Sequence, residues 1–194
     1  MRPRVYLAGP DVFFPEPEKW AARKQEICAR HGLTGVSPLD EYPNEPPEWA
    51  ALPLWRKLSA RNEAHIRSCQ ALIANLTPFR GPSADVGTVF EVGFARALGL
   101  PLFGYAHASQ GFLERTLAFL GAEAKSGPNG SWLDGDGFLV EDFGRFDNLM
   151  IEGGIAGAGG TLDQDGTPAW NDLALFERAA VNAAARLRTS PSAG

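Results

Sequence analysis

The sequence predicts an α/β protein in which helices cover both faces of a parallel sheet. Short apolar runs, typical of buried strands, alternate along the chain with longer segments of helical periodicity. The runs lack the polar alternation of a strand with one face in water, which favours a parallel sheet. Parallel sheets bind their ligands at the carboxyl ends of the strands, so the loops after the strands are the first candidates for a site.

The elements are predicted in the order strand, helix, strand, helix, strand, helix, strand. Strands are expected at 4–9, 33–40, 71–76 and 100–105, and the helices between them at 16–32, 54–70 and within 83–101. Each helix is preceded or followed by Gly, Pro or Asp, which commonly mark helix ends.

The last third of the chain is less regular. Residues 125–137 predict a loop or hairpin, and 138–151 are compatible with a further strand. Glycine is so dense in 152–169 that a surface loop is expected there. A closing helix is predicted at 170–188. We expect a single domain over 1–194, with 1–151 as its core.

Composition excludes several classes of partner. The net charge is −5 and no cluster of Lys and Arg stands out, which argues against nucleic acid and anionic membranes. Gly9–Asp11 interrupts the first apolar run, which argues against a signal peptide, and no run reaches the ~20 apolar residues of a membrane span. Cys28 and Cys69 lack metal-ligand spacing and fit a reducing cytoplasm. We expect a cytoplasmic protein without metal or cofactor.

The helix within 83–101 carries two carboxylates that bear on function. Asp85 stands at its start, where a capping residue is favoured, and this structural role alone would explain it. Glu91 lies among apolar residues, with Gly87, Thr88 and Ala95 about one helical turn away. A solvent-exposed Glu is one interpretation. The other is that the small neighbours leave room for a ligand to approach.

A desolvated Glu suits one kind of chemistry. It can attack the anomeric carbon of a sugar and form a glycosyl ester, which a second acceptor then opens with net retention of configuration. The leaving group needs a proton, so a second acid or a network of donors should face Glu91.

Four segments, taken in chain order, together resemble the nucleoside 2-deoxyribosyltransferase family: VYLAGPDVF, PLD, the long run from ALIANL to LFGY, and DNLMI. The resemblance covers about residues 4–151, in the same order. It implies a flavodoxin-like, Rossmann-like three-layer sandwich with a central parallel sheet. It also implies an enzyme that acts on deoxynucleosides and free nucleobases.

The resemblance implies three residues that act on the sugar. Glu91 in FEVG matches the nucleophile, and Asp85 in ADVG matches the aspartate that binds the sugar. Tyr6 in VYLAG matches the tyrosine that holds the nucleophile by a hydrogen bond.

Further residues are implied for substrate binding. Gly9 and Asp11 fall in the loop that lies over the base. Asn148 and Met150 in DNLMI resemble the segment that a neighbouring subunit contributes, so the resemblance implies a homo-oligomer with shared sites.

The sequence departs from the family pattern at the proton donor. Some members carry an aspartate where an ungapped comparison places Asn62, which as an amide can bind the substrate by donating a hydrogen bond to the base but cannot supply a proton. Asp11 is the first alternative donor and Glu63 the second. Asp40 is a further candidate for the pocket, although a turn at the end of a strand also accounts for it.

Three functions fit these patterns. The first is transfer of 2-deoxyribose between nucleobases in nucleoside salvage. The second is an N-glycosidase that hydrolyses deoxynucleosides or their 5′-monophosphates, for which Arg80 could bind the phosphate. The third is a nucleotide-sensing domain without catalysis, which the presence of both Glu91 and Asp85 disfavours.

Overall fold

The fold is an α/β sandwich built on five parallel strands. A computed structural model describes residues 2–43, 45–166 and 170–189. The strands in chain order are β1 Arg4–Ala8, β2 Thr34–Val36, β3 Ala71–Asn75, β4 Leu102–His107, β5 Lys125–Ser126, β6 Trp132–Leu133 and β7 Thr161–Asp165. The large sheet has the order β2-β1-β3-β4-β7, which is the flavodoxin-like order. The predicted fold class is confirmed.

Helices form a layer on each face of this sheet. They are α1 Pro17–Arg30, α2 Leu54–Arg67, α3 Val86–Ala97, α4 Phe112–Leu120, α5 Leu149–Gly157 and α6 Ala174–Thr189. Helices α1 and α6 pack on one face, and α2, α3 and α5 cover the other.

The side chains of strand β1 pack against the helices on both faces of the sheet. Its side chains alternate, so Val5 and Leu7 pack in the cluster that includes α1 and α6. Tyr6 and Ala8 pack in the opposite cluster, with α2, α3 and α5. All four residues are buried, as expected for the centre of a parallel sheet.

The connections diverge from β1 in a way that creates a crevice. The chain passes from β1 to β2 on one side and then returns to β3 on the other. The loops after β1 and β3 therefore leave adjacent strands in different directions. Such a switch point is where open α/β sheets bind their ligands.

The expected surface loop at 152–169 is wrong for most of its length. Its first residues continue α5, and Thr161–Asp165 form β7, which pairs in parallel with β4. The helix forms despite its glycines because Ile151 and Ile155, four residues apart, are both buried against the sheet layer. Residues 167–169 lie outside the described residues.

Of the other expectations for the C-terminal third, one is confirmed and others are wrong. The hairpin at 125–137 is confirmed as the antiparallel pair β5 and β6. The further strand suggested within 138–151 is wrong: only Leu139 makes an isolated bridge there, to Leu133. The core does not end at 151, because α6 supplies six buried residues to one helical layer.

The described residues show neither a membrane-spanning helix nor a cluster of side chains that could hold a metal ion. None of the helices in the described ranges has the length and apolar character needed to cross a membrane. Those ranges also contain no group of three or more His, Cys, Asp or Glu side chains placed to hold a metal ion.

Candidate active site

Glu91 lies on the face of α3 that packs towards the sheet. Thr88 and Ala95, one turn before and after it, are buried on the same face. These two small residues bring α3 close to the sheet. The interpretation that all the small neighbours of Glu91 leave room for a ligand therefore does not apply to Thr88 and Ala95. Gly87 is exposed, and a Cβ there would lie 3.2 Å from Oδ2 of Asp85. A side chain at position 87 would therefore crowd the Asp85 carboxylate.

Two donors hold the Glu91 carboxylate, and both reach the same oxygen. The hydroxyl of Tyr6 on β1 donates to Oε1 at 2.6 Å, and the amide nitrogen of Asn62 on α2 donates to it at 3.2 Å. The contact expected between Tyr6 and Glu91 is present. Among the described residues no hydrogen bond is made to Oε2, so that oxygen has no donor from them.

The surroundings of Glu91 change its acidity. Burial raises the pKa of Glu91 to about 7, with the charge of Asp85 adding to the effect, while hydrogen bonds from Tyr6 and Asn62 oppose it. Burial and the nearby Glu91 charge raise the pKa of Tyr6 well above its usual value, so Tyr6 stays a donor. A carboxyl group tuned close to neutrality is a common sign of a catalytic group.

This tuning predicts a pH profile. A carboxyl group can act as a nucleophile only when it is ionised, so the role that the resemblance implies for Glu91 predicts that kcat/KM for a deoxynucleoside rises with pH, with a midpoint near 7. Tyr6→Phe removes a hydrogen bond that stabilises the carboxylate, so its midpoint should move to higher pH. The matched control is Tyr42→Phe, because the Tyr42 ring packs on Trp49 and His65 and its hydroxyl is not one of the donors to Glu91. A Tyr6→Phe midpoint at or below that of the wild type would contradict this account.

Asp85 has the capping role that its position predicts. Its Oδ2 accepts from the backbone nitrogen and the hydroxyl of Thr88, both at 2.9 Å. Its Oδ1 accepts no hydrogen bond from the described residues. Capping therefore occupies one oxygen and not the other, so the structural role of Asp85 is compatible with the sugar-binding role that the resemblance implies.

Asp11 lies in a helical turn directly after β1. Its Oδ2 accepts from Lys24 at 2.6 Å, and its Oδ1 accepts from the amide of Asn75 at 3.3 Å. A Cβ at Gly9 would lie 2.4 Å from Oδ2 of Asp11 and 2.8 Å from the Asn75 side chain. Gly9 thus allows this loop to fold closely over the end of β3.

The remaining carboxylates differ in their surroundings. Asp40 accepts from the backbone nitrogen of Ser37 at 2.9 Å, which fits the turn at the end of β2. Gln25 also donates to it, so Asp40 fastens this turn to α1. Glu63 follows Asn62 on α2, and a step of one residue turns its side chain about 100° away from the direction of Asn62. Neither residue contacts Glu91.

Asn148 and Met150 lie at the start of α5, on the side of α3 opposite to Glu91. Asn148 caps the helix by accepting from the Met150 nitrogen at 3.0 Å, and its amide donates to Glu141 at 2.7 Å. Both residues line a groove of about 860 Å³ between α3 and α5. The α3 residues in that groove include Val89, Val92 and Gly93, on a different face of the helix from Glu91.

Arg80 lies in the loop after β3. Its guanidinium stacks on the rings of Phe13 and Phe79, at 5.0 Å and 4.7 Å from their centroids. Phe13 belongs to the loop after β1, so these contacts join the two loops at the switch point. Trp170 lies close to the same surface, with its ring 6.3 Å from that of Phe79.

Lys24 and Asn75 were not singled out by the sequence patterns, although each had a signal. Lys24 is only 4 % exposed and lies on the same stripe of α1 as Ile27 and Cys28. A charged residue in an apolar stripe needs a partner, and that partner is Asp11. Asn75 is a polar residue at the carboxyl end of a fully buried strand, where ligand-binding groups are common.

Comparison with known proteins identifies the family. The model of the nucleoside 2-deoxyribosyltransferase family matches residues 5–150. The chain belongs to this family. An uncharacterised protein of Schizosaccharomyces pombe is 32 % identical over 198 residues, covering 96 % of this chain and 91 % of the relative.

Solved structures agree with membership of the nucleoside 2-deoxyribosyltransferase family. A 2-desoxiribosyltransferase from Leishmania mexicana is 27 % identical, with a TM-score of 0.60, and the match covers 92 % of this chain and 97 % of that one. A conserved protein from Enterococcus faecalis shares the fold at 16 % identity and a TM-score of 0.54, over 96 % of this chain and 99 % of that one.

Proposed function

We propose that this protein transfers 2-deoxyribose between nucleobases by way of an ester on Glu91. The observation that carries the proposal is the arrangement of the Glu91 carboxylate, whose Oε1 is held by Tyr6 and Asn62, while none of the described residues donates to Oε2. A structural glutamate at this depth would be expected to use both oxygens in hydrogen bonds. The membership of the family and the likeness to the Leishmania mexicana enzyme support the same activity.

The reaction takes place in two displacements at the anomeric carbon. In the first, Oε2 of Glu91 bonds to C1′, the bond from C1′ to the base nitrogen breaks with its electron pair going to the departing base, and that base takes one proton from water. In the second, a nitrogen of another base attacks C1′, gives its proton to water, and the bond from C1′ to Oε2 breaks, which releases Glu91 as a carboxylate. Asp85 binds the sugar through its Oδ1, and two inversions retain the configuration.

Asp11 is better placed to hold the loop after β1, which lies over the base in the proposed reaction, than to protonate the base. Both of its oxygens act as acceptors, one of them from the ammonium group of Lys24. The ion pair neutralises its charge and is mostly removed from water. We therefore assign Asp11 a positioning role next to the base, together with Gly9. Asn62 holds the nucleophile and supplies no proton.

We further propose that the enzyme is a homo-oligomer whose sites are shared. Asn148 and Met150 line a groove on the face of α3 away from the Glu91 of their own chain. Met150 is 74 % exposed and Val86, across the groove, is 84 % exposed. Adjacent apolar side chains in water commonly mark a protein interface. A second chain that covers this groove would receive Asn148 and Met150 at its own site.

The activity is tested by incubating the protein with deoxyinosine, with and without adenine, and separating the products by chromatography. The proposal predicts deoxyadenosine and hypoxanthine when adenine is present, and negligible free deoxyribose. Release of hypoxanthine and deoxyribose at the same rate without adenine would replace the transferase by a hydrolase. Absence of turnover with every deoxynucleoside and base tried would overturn the proposal.

A nucleotide N-glycosidase is the second candidate, and Arg80 favours it. The guanidinium of Arg80 is exposed at the edge of the crevice and is held by two aromatic rings, with no carboxylate paired to it among the described residues. An arginine in this state suits a 5′-phosphate. Hydrolysis of deoxyinosine monophosphate in preference to deoxyinosine, lost in Arg80→Gln, would establish this function instead.

A further inference from the structure

The buried ion pair of Arg115 and Asp147 joins two segments that the proposed reaction needs in fixed positions. Arg115 lies on α4 and is 8 % exposed, and Asp147 directly precedes α5 and is fully buried. Their charged groups are 3.6 Å apart. Desolvating two charges is costly, and their attraction offsets this cost only if further hydrogen bonds satisfy the remaining polar atoms.

Arg115 satisfies this condition by donating to three separate stretches of backbone. Its Nε donates to the carbonyl of Pro82 at 2.7 Å, and its Nη2 to the carbonyl of Phe146 at 2.5 Å. Its Nη1 donates to the carbonyl of Gln110. Pro82 lies just before α3, Phe146 just before α5, and Gln110 just before α4. One guanidinium therefore ties together the starts of three helices.

Asp147 joins two of the same segments from the other side. Its Oδ1 accepts from the hydroxyl of Ser83 at 2.5 Å, and its Oδ2 accepts from the backbone nitrogen of Ala84 at 3.0 Å. It also accepts from the nitrogen of Asn148 at 2.8 Å. The residue after Ala84 is Asp85, so the carboxylate lies between the start of the catalytic helix and the start of α5.

We infer that Arg115 is a positioning residue, which fixes the start of α3 and the start of α5 relative to each other. This inference rests on the proposed function, in which α3 carries Glu91 and α5 carries Asn148 for a neighbouring site. Arg115 touches no substrate in this account. It sets the distance between the residues that a chain uses itself and those that it presents to its partner.

Lysine cannot replace Arg115 in this role. The guanidinium has five N–H donors in a rigid plane, and three of its nitrogens are used in different directions. A lysine keeps the charge next to Asp147 but has one nitrogen, which cannot reach the three carbonyls together. Arg115→Lys therefore removes the geometry while it retains the charge.

The test compares Arg115→Lys with Arg56→Lys, the same substitution at an exposed position of α2. Hydrogen exchange at Ala84 and Asn148 should be faster in Arg115→Lys by on the order of tenfold, with β1 and β3 unchanged. The kcat for deoxyribose transfer should fall by about tenfold to hundredfold, because small displacements of reacting groups are costly. Arg56→Lys should match the wild type.

A pH profile separates positioning from a general loss of stability. If α3 loosens, water reaches Glu91 and the midpoint of kcat/KM should move below pH 7, since burial is the main cause of the raised pKa. A protein that is merely less folded would lose amplitude at an unchanged midpoint. Ser83→Ala, which removes one donor to Asp147, should give the same changes on a smaller scale if Arg115→Lys does not fold.

Each result of these measurements would overturn a different part of the inference. Unchanged exchange at Ala84 or at Asn148 would overturn the link between the two segments, whatever the activity. Faster exchange with normal kcat and midpoint would overturn the positioning role. Absence of deoxyribose transfer by the wild-type protein would refute the proposed function and with it the catalytic part of the inference, while the exchange data would still decide whether Arg115 ties the segments.

Discussion

Glu91→Gln is expected to lower the rate of deoxyribose transfer by at least about 10⁴-fold, the scale of loss that follows removal of a nucleophile. Glutamine fills the same volume and its carbonyl oxygen can still accept from Tyr6, so the pocket keeps its shape. An amide forms no glycosyl ester. The measurement is deoxyadenosine formation from deoxyinosine and adenine. Mass spectrometry of protein incubated with deoxyinosine alone should detect a deoxyribosyl adduct on the wild type and none on the variant.

The same variant should be more stable than the wild type, which provides a control for its fold. The pKa of Glu91 is about 7 when folded, against an ordinary value of 4.5. The folded state therefore holds the proton more tightly, and wild-type stability falls as pH rises from about 4.5 to about 7. Gln avoids this loss, so Glu91→Gln should raise the free energy of unfolding by up to about 3 kcal/mol at pH 8 and little at pH 4.

Glu26→Gln is the matched substitution at an exposed position of α1, and it should change neither transfer nor the pH dependence of unfolding. Wild-type turnover by Glu91→Gln would refute the ester mechanism. An unchanged free energy of unfolding at pH 8 would show instead that Glu91 is well solvated, and the explanation of its pKa by burial would then be wrong.

The sheet and the centre of the site are predictable from the sequence because their signals are local. Strands β1, β3 and β4 are short apolar runs, and the capping position of Asp85 follows from the start of a periodic segment. The contact between Tyr6 and Glu91 spans 85 residues, and only the resemblance to a family predicts it. Its presence agrees with the resemblance.

Other features depend on packing that local patterns do not report. The glycines of α5 indicate a loop by propensity, and burial of Ile151 and Ile155 outweighs that preference. Strand β7 is partly polar because it lies at the edge of the sheet, so it lacks the apolar run of a central strand. Gly104 on β4 allows the side chain of Leu162 on β7 to pack closely against it, because a Cβ at position 104 would lie 2.8 Å from that side chain.

The contacts of charged residues are the least predictable from sequence. Lys24 reaches Asp11 across 13 residues, and Arg115 reaches the carbonyl of Pro82 across 33. Each side chain has several rotatable bonds, so its partner is fixed only once the surrounding elements have packed. Asn62 illustrates the same limit: as a departure from the family pattern it suggested a missing acid, and in the structure it is a donor to Glu91.

Two variants that are each inactive should restore activity when they are combined in one oligomer. Glu91→Ala lacks the nucleophile but presents an intact Asn148 and Met150, whereas the double variant Asn148→Ala/Met150→Ala has the opposite defect. In a mixed dimer, one site receives Glu91 from one chain and Asn148 from the other. Random mixing should recover about a quarter of wild-type transfer, because half of the dimers are mixed and each has one complete site.

Recovery distinguishes a shared site from damage to the fold. Asn148 caps α5, so its loss as Ala costs about 1 kcal/mol of stability in addition to the proposed substrate contact. Asn148→Ser keeps a capping oxygen and removes the amide, and in place of Asn148→Ala it should behave the same way in the mixture. A chain whose α5 is displaced could still supply Glu91, so a loss of stability at α5 does not by itself prevent recovery. If mixing recovers nothing while each variant forms normal oligomers, Asn148 and Met150 act on their own chain, and the face of α3 that they occupy would have to be reached by Glu91 through a rearrangement of that helix.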